Sequence, residues 1–105
     1  MPIDIREDLL QLVQEILRQN IPQHKVIAFG SRVRGDAKQT SDLDLCIVGP
    51  DRLTFEALST LRDDFSLSRI PFRVDVVEWV GLSPEFKDIV EENHVVVQAG
   101  RGAGT

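Results

Sequence analysis

The sequence predicts an α/β domain in which a small mixed β-sheet of about four strands packs against helices. Short apolar runs alternate along the chain with segments whose apolar residues recur every three or four positions, the spacing of a helix with one buried side. Such alternation is typical of a sheet covered by helices. The chain has 105 residues, enough for one hydrophobic core and too few for two domains. We therefore expect one domain over residues 1–99 and a flexible tail over 100–105.

The first helix and the first strand follow from apolar spacing and from a proline. Residues 5–19 carry apolar side chains at helical spacing, and Pro22 ends any continuation. Asp4 stands where an N-cap is expected, with Glu7 three residues on as its capping-box partner. The apolar run over 26–29 then predicts a short buried strand.

A second strand is predicted over 43–48, where an apolar run ends at a glycine-proline pair. A helix follows, with Thr54 as its N-cap, and the run over 72–79 predicts a third strand. The residues expected on the buried face of this helix are Phe55, Leu58, Leu61 and Phe65.

The last helix is predicted to begin at Ser83, Pro84 and Glu85, because proline favours the first helical position and an acidic residue favours the first turn. Asn93 is a suitable left-handed C-cap, and the valines over 95–97 predict the last strand. The residues expected on the buried face of this helix are Phe86, Ile89 and Val90.

Composition and charge exclude several classes of function. The net charge of −5 at pH 7 argues against broad electrostatic binding of nucleic acid, which needs clustered lysine and arginine. A nucleotide substrate stays possible, because divalent cations bridge carboxylates and phosphates. No apolar run reaches the ~18 residues of a membrane span, and the start of the chain lacks the features of a signal peptide. One cysteine cannot form an internal disulfide, which favours the cytoplasm.

One stretch combines a glycine-serine turn, two arginines and a second glycine. Gly30 permits the positive φ that a sharp turn after a buried strand needs. If a short helix begins at Ser31, its free amides and the serine hydroxyl can hold phosphate oxygens. Arg32 and Arg34 would add positive charge, and Gly35 would let the loop leave without a side-chain clash. An ordinary surface turn is the alternative interpretation.

Two aspartates follow this turn at positions i and i+2. In a strand such residues lie on the same face, so Asp42 and Asp44 would project side by side. Carboxylates this close raise each other's pKa unless a cation lies between them. Mg²⁺ prefers carboxylate oxygens together with substrate phosphates, so the pair predicts part of a magnesium site. A solvated strand end is the alternative interpretation.

A third carboxylate comes from the predicted third strand. Asp75 is poorly suited to the middle of a β-branched strand, and it faces away from Val74 and Val76, which we expect in the core. If the second and third strands are neighbours, Asp75 completes a triad that can hold two divalent ions for phosphoryl or nucleotidyl transfer. An ion pair with Arg73 or Arg69 is the alternative for Asp75 alone.

The order of these features resembles one known superfamily. A glycine-serine pair, ten residues to Asp-x-Asp, and a lone Asp on a later strand is similar to the nucleotidyltransferases that include DNA polymerase beta and the aminoglycoside nucleotidyltransferases. The chain most resembles the minimal nucleotidyltransferases of bacteria and archaea. Their pattern of Gly-Ser, then Gly, then Ser-Asp-x-Asp-Leu is met by Gly30-Ser31, Gly35 and Ser41-Asp42-Leu43-Asp44-Leu45.

The resemblance implies the polymerase beta-like nucleotidyltransferase fold and a metal-dependent reaction. Asp42 and Asp44 would bind two Mg²⁺ ions, while Asp75 would bind the catalytic one and help to deprotonate an acceptor hydroxyl. ATP would be the donor, attacked at its α-phosphorus with pyrophosphate leaving. The residues expected to bind the nucleotide are Gly30, Ser31, Arg32, Arg34, Gly35 and Ser41.

The acceptor is expected on another chain, because few residues remain after the third strand to build a second binding domain. The resemblance implies a helical HEPN-domain protein as partner, with this chain as the antitoxin that adenylylates a tyrosine on the toxin, in a homo- or hetero-oligomer. Two alternatives stay open. The chain could neutralise a partner by contact alone, or it could modify a small molecule in a pocket of its own.

Four other residues attract attention without forming a motif. His24 and His94 have no partner at a metal-ligand spacing, and we expect both at the surface or its boundary. Cys46 continues the face of the two aspartates and is expected to be a small buried apolar residue behind the site. Trp79 is expected in the core.

Overall fold

The computed structural model describes residues 3–100. Every predicted helix and strand is present, and the short helix at the glycine-serine turn forms as well. The helices are α1 (Glu7–Asn20), α2 (Ser31–Arg34), α3 (Phe55–Leu67) and α4 (Pro84–Glu92), with a 3₁₀ turn at Trp79–Gly81. The strands are β1 (Lys25–Phe29), β2 (Leu43–Val48), β3 (Val74–Glu78) and β4 (Val95–Gln98).

The four strands form one mixed sheet, as predicted, and their order across the sheet is β3-β2-β1-β4. β1 runs antiparallel to both β2 and β4, and β2 runs parallel to β3. A parallel pair needs a crossover connection, which α3 supplies. The register places Asp44 between Phe29 on β1 and Asp75 on β3. Residues far apart in the sequence therefore meet at one end of the sheet.

Helices cover both faces of the sheet. The larger hydrophobic cluster joins α1 and α3 to one face, with Leu17, Leu45 and Leu61 fully buried in it. α4 covers the opposite face, where Val90 is fully buried in a smaller cluster. Burial of apolar surface on both faces holds the sheet as the middle layer.

The predicted N-caps of α3 and α4 are confirmed. The Thr54 hydroxyl accepts a hydrogen bond from the amide of Ala57 at 3.1 Å, and the Ser83 hydroxyl accepts one from the amide of Phe86 at 3.2 Å. Pro84 occupies the first helical position, as predicted. These side chains supply acceptors to amides that have none within the helix.

The predicted caps at the other two helix ends are wrong. α1 begins at Glu7 with Arg6 at the N-cap and no side-chain capping bond. Asp4 does not cap it, because its backbone pairs with Arg32 of the motif. Asn93 ends α4 at φ −150° and ψ 98°, an extended rather than left-handed conformation, because the chain passes directly into β4.

Two predicted core residues lie in solvent. Phe55 is 82% exposed and Ile89 is 59% exposed, although both share a helix face with buried residues. Phe55 is the first residue of α3, while Leu61 and Phe65 further along the same face are buried. Helical spacing identifies the side chains that share a face, but it does not reveal how far the neighbouring layer extends along that face.

The end of β3 also differs from expectation. β3 ends at Glu78, and Trp79 opens the 3₁₀ turn while its ring packs partly buried against the smaller cluster. The predicted tail over 100–105 lies outside the described residues except for Gly100, whose Cα lies against the backbone of 23–25. None of the helices between residues 3 and 100 has the length and apolar character needed to cross a membrane.

Candidate active site

A tight turn joins β1 to α2, and glycine is required both in this turn and at the C-terminal end of α2. Gly30 has φ 82°, and its carbonyl accepts hydrogen bonds from the amides of Val33 and Arg34 at 3.0 Å each. Gly35 ends α2 in the left-handed region at φ 91°. Residues with a side chain rarely adopt such values. The backbone amides at the start of α2 have no acceptor within the helix, because no helical carbonyl precedes them at the required spacing.

The turn and the first carboxylate of β2 are in close contact. A Cβ atom added to Gly30 would overlap Oδ2 of Asp44. Only a residue without a side chain allows this approach, so the turn that is predicted to bind phosphate and the predicted metal ligand Asp44 are direct neighbours. Two features of the structure therefore require glycine at position 30: its positive φ and its close contact with Asp44.

Asp44 and Asp75 lie side by side at the end of the parallel pair. They are register partners on β2 and β3, so their side chains project from the same face of the sheet. Val76, next to Asp75, is buried on the opposite face, which confirms the predicted orientation of Asp75. Both aspartates open into a cleft of about 290 Å³. The cleft is lined by Phe29, Gly30, Arg34, Asp44, Asp75, Val77, Phe86, Ile89 and Asn93.

Burial and neighbouring carboxylates both act on Asp44 in the cleft. Burial raises the pKa of the Asp44 carboxyl, and the nearby carboxylates of Asp75 and Asp42 raise it further. Arg34 and Arg73 act in the opposite direction without cancelling the effect. The ionised form of Asp44 is therefore less favourable here than in water, and a bound cation would stabilise it.

A divalent cation fits the chemistry of this donor set, although the three carboxylates do not converge. Within residues 3–100, no three histidine, cysteine, aspartate or glutamate side chains are grouped closely enough to hold a metal ion as they stand. Asp42 precedes β2, is exposed, and lies outside the lining of the cleft. Asp75 is 3.6 Å from the guanidinium of Arg73. Asp44 and Asp75 together still offer the carboxylate oxygens that Mg²⁺ prefers.

The two motif arginines have different positions. Arg34 lines the cleft and is half-exposed, with its Nε 3.6 Å from Asp36. Arg32 is 5% exposed, and its guanidinium donates to backbone carbonyls of the loop before β2. This position contradicts the prediction that Arg32 binds phosphate, because its donors are directed to the backbone rather than to the cleft.

Two further predicted nucleotide-binding residues shape the loop. The Ser41 hydroxyl accepts a hydrogen bond from the amide of Lys38 at 2.8 Å, so its position is fixed within the loop. Gly35 has open space around its Cα, and its left-handed φ is what excludes a side chain there. Ser31 begins α2 beside Gly30 and lies outside the lining of the cleft.

Sequence reasoning missed the apolar wall of the cleft. Phe86 and Ile89 were expected in the core, but both line the cleft from α4, and Phe86 meets the ring of Phe29 edge to face at 5.7 Å. Asn93 lines the cleft next to these residues and adds a polar amide. An apolar residue at helical spacing has the same pattern whether it faces a core or a ligand, so no feature of the sequence distinguishes the two.

Cys46 and the histidines take no part in the cleft. Cys46 is fully buried in the cluster behind the aspartates, as predicted, and burial raises the pKa of its thiol to about 11. A thiol with this pKa is protonated at neutral pH and chemically inert. His94 is exposed, and His24 lies at the boundary of the core, as predicted for both.

Comparisons with known proteins agree with this geometry. A family model described as a nucleotidyltransferase domain matches residues 10–97. A protein of Haemophilus influenzae named probable protein adenylyltransferase MntA is 44% identical over 96 residues, which cover 91% of this chain and 84% of that protein.

Two solved structures share the fold. One is described as a toxin–antitoxin with AMP-PNP; its TM-score is 0.71 at 22% identity, and the match covers 93% of this chain and 77% of that chain. The other is a tri-AMPylated Shewanella oneidensis HEPN toxin in complex with MNT antitoxin, with a TM-score of 0.62 at 23% identity over 90% of this chain and 76% of that chain. The family match and the 44% identity are decisive. This chain belongs to the nucleotidyltransferase domain family.

Proposed function

We propose that this chain is a protein adenylyltransferase that transfers AMP from ATP to a hydroxyl group on a helical HEPN-type toxin and thereby acts as its antitoxin. The observation that carries the proposal is the 44% identity, over 91% of the chain, to a probable protein adenylyltransferase. The fold neighbours described as toxin–antitoxin complexes, one with AMP-PNP and one with an AMPylated toxin, support the same substrate and partner.

The donor side of the proposed reaction is assigned to the turn and the cleft. The glycine-serine turn at Gly30 and Ser31 would hold phosphate oxygens through its free amides, and Arg34 would add positive charge at the cleft. Asp42, Asp44 and Asp75 would hold two Mg²⁺ ions. Such ions would neutralise the charge of the triphosphate and make its α-phosphorus more susceptible to attack.

The acceptor hydroxyl would be activated by Asp75. This carboxylate borders the cleft beside Asp44, and from there it would take the hydroxyl proton. The acceptor oxygen would then form a bond to the α-phosphorus, while the bond from that phosphorus to the oxygen bridging to the β-phosphorus breaks. Pyrophosphate leaves with that oxygen, and the acceptor carries AMP.

The acceptor side is assigned to a partner chain. Ile89 stands 59% exposed at the cleft, beside the aspartates, and provides apolar surface that a partner would cover. We also propose a cytoplasmic location, which fits a single cysteine that is buried and unpaired.

Mass spectrometry of a purified HEPN partner tests the proposal. Incubation with this chain, ATP and Mg²⁺ is expected to add one or more AMP groups to the partner, and Asp44→Asn is expected to abolish the addition. Asp75→Asn is expected to reduce the rate about 10²–10⁴-fold, because it removes the base. Asp63→Asn on the exposed surface of α3 is the matched control and should keep full activity.

The same variants separate the two other hypotheses. If the chain acts by contact alone, Asp44→Asn will still neutralise the toxin, and the mass of the partner will not change with wild type. If it modifies a small molecule, ATP will be consumed without any mass gain on the partner. Either result would contradict the proposed function.

A further inference from the structure

Arg32 is buried in an unusual environment for a charged side chain. Among residues 3–100 it is the only buried charged or polar side chain, at 5% exposure. Its guanidinium carbon lies 4.0 Å from the centre of the Phe72 ring. Charged side chains are rarely buried unless they are hydrogen-bonded. The contacts of Arg32 therefore identify what this buried charge holds in place.

Arg32 donates to backbone carbonyls on two segments. Nε and Nη2 both bond the carbonyl of Ser41, at 3.1 and 2.9 Å, and Nη2 also bonds that of Gln39 at 2.9 Å. Nη1 bonds the carbonyl of Asp4 at 2.8 Å. In return, the carbonyl of Arg32 accepts from the amide of Asp4 at 2.6 Å. The planar, forked guanidinium suits such a set of acceptors.

The loop that Arg32 holds has little other support. Residues 38–40 are exposed and belong to no helix or strand. On one side they line a hollow of about 660 Å³ rather than packed core. Inside the loop, Lys38 and Ser41 share two hydrogen bonds, from the Ser41 amide to the Lys38 carbonyl and from the Lys38 amide to the Ser41 hydroxyl.

The contacts of Arg32 end at the peptide unit next to Asp42. The carbonyl of Ser41 belongs to the peptide that carries the Asp42 amide, and Arg32 holds that carbonyl with two donors. On the other side of Asp42, the amide of Leu43 donates to the carbonyl of Arg73 at 2.9 Å. The backbone of Asp42 is thus fixed on both sides, toward Arg32 and toward the strand that carries Asp75.

We propose that Arg32 is a positioning residue: it orients Asp42 through the Ser41 carbonyl so that Asp42 can join Asp44 and Asp75 in binding the metal–nucleotide. This inference rests on the proposed function, because it assumes that the aspartates bind a divalent cation. It assigns a task to a motif residue that does not reach the cleft itself. Loss of the forked guanidinium should make the position of Asp42 less fixed. Metal binding should weaken as a result.

Binding of Mn²⁺ with an ATP analogue that has a methylene group between its α- and β-phosphorus tests this role without partner or turnover. Titration calorimetry would compare wild type with Arg32→Lys, which keeps the charge but not the fork. We expect the half-saturating Mn²⁺ concentration to rise about 10- to 100-fold, the usual effect of removing a group that orients a metal ligand. Arg69→Lys, an exposed arginine in a surface ion pair, is the matched control and should bind as wild type does.

Three results are distinguishable. If Arg32→Lys melts at lower temperature but binds Mn²⁺ as wild type does, Arg32 is only structural and the inference is overturned. If Arg32→Lys does not fold, as judged by circular dichroism, Arg32→Gln decides, because glutamine can still donate to one loop carbonyl but lacks the forked set of donors. A weaker Mn²⁺ affinity in Arg32→Gln supports the inference, and an unchanged one overturns it. If wild type binds no Mn²⁺ with the analogue, the proposed function fails.

Discussion

At the scale of single residues, Asp44 has conflicting roles in folding and in function. Its pKa is raised by burial and by Asp75 and Asp42, so its ionised form is less favourable in the folded protein than in the unfolded chain. A carboxyl with a raised folded-state pKa contributes stability below its unfolded pKa of about 4, and this contribution is lost as pH rises through the folded-state value. The ionised carboxylate is nevertheless the form that binds a cation.

Asp44→Asn should therefore stabilise the metal-free protein. At about pH 7 we expect a higher Tm than wild type, and the difference should shrink as the pH falls through the raised pKa of the wild-type Asp44 carboxyl toward the unfolded-state value of about 4. Thermal unfolding in a chelating buffer, followed by circular dichroism at several pH values, measures this. Asp63→Asn on the exposed face of α3 should show no such trend. A lower Tm for Asp44→Asn at neutral pH would contradict the electrostatic account.

Gly30 is the second residue whose identity is determined by the fold. Gly30→Ala should lose about 1–3 kcal/mol of unfolding free energy from its positive φ, plus a further loss from overlap with Asp44. Gly35→Ala separates the two effects, because position 35 has a similar φ with open space around it. Gly49→Ala has neither constraint and should be near neutral. Urea unfolding measures all three, and equal losses at 30 and 35 would refute the close contact.

The sequence was sufficient to place Asp44 and Asp75 but not Arg32. Alternation along a strand determines the face of each residue, so the orientation of Asp75 could be predicted once its neighbours were assigned to the core. Arg32 could not be placed in this way. Its acceptors are backbone carbonyls of Asp4, Gln39 and Ser41, and carbonyls are common to every residue and carry no sequence pattern.

At the scale of elements, α3 and α4 are capped alike but cover different faces of the sheet. Thr54 and Ser83 each accept one hydrogen bond from the third residue after them. Ser83→Ala and Thr54→Ala should each cost about 0.5–2 kcal/mol of stability. α4 lines the cleft and α3 does not, so only Ser83→Ala should also raise the KM for ATP or for the acceptor. Equal KM values in the two variants would show that α4 does not shape the site.

The helix boundaries could be predicted where a side chain determines them, and not where tertiary contacts do. Thr54 and Ser83 act through their own hydroxyls, so local sequence was enough. Asp4 has the right chemistry for a cap, but its backbone is engaged by Arg32, a residue distant in sequence. Asn93 is drawn into an extended conformation by the strand that follows it. Local propensity loses to tertiary contacts in both cases.

At the scale of the whole molecule, the two faces of the sheet differ in how firmly they are packed. The cluster on the face of α1 and α3 includes many fully buried leucines and valines, whereas the cluster under α4 is small and borders an open cleft. Elements with few buried apolar contacts open more easily than the rest of a protein. The face that carries the aspartates is therefore the less stable one.

Hydrogen exchange should report this difference. We expect the amides of α4 to exchange faster than those of α1, α3 and the central strands, by local opening that leaves the sheet intact. Mass spectrometry of peptides after exchange in native buffer measures it. Adding Mg²⁺ with the methylene-bridged ATP analogue should slow exchange in α4 most, because α4 forms a wall of the cleft. Equal exchange rates in all helices would contradict the expected lower stability of α4.

The position of β1 in the sheet affects how the chain folds while it is being synthesised. β1 is an apolar inner strand between β2 and β4, and β4 is translated after the other three strands of this sheet. Until the ribosome has released β4, one side of β1 presents unpaired backbone groups, the arrangement by which strands of different chains aggregate. The time between synthesis of β1 and of β4 is thus the period in which the nascent chain needs protection. A premature stop before Val95 makes that exposure permanent.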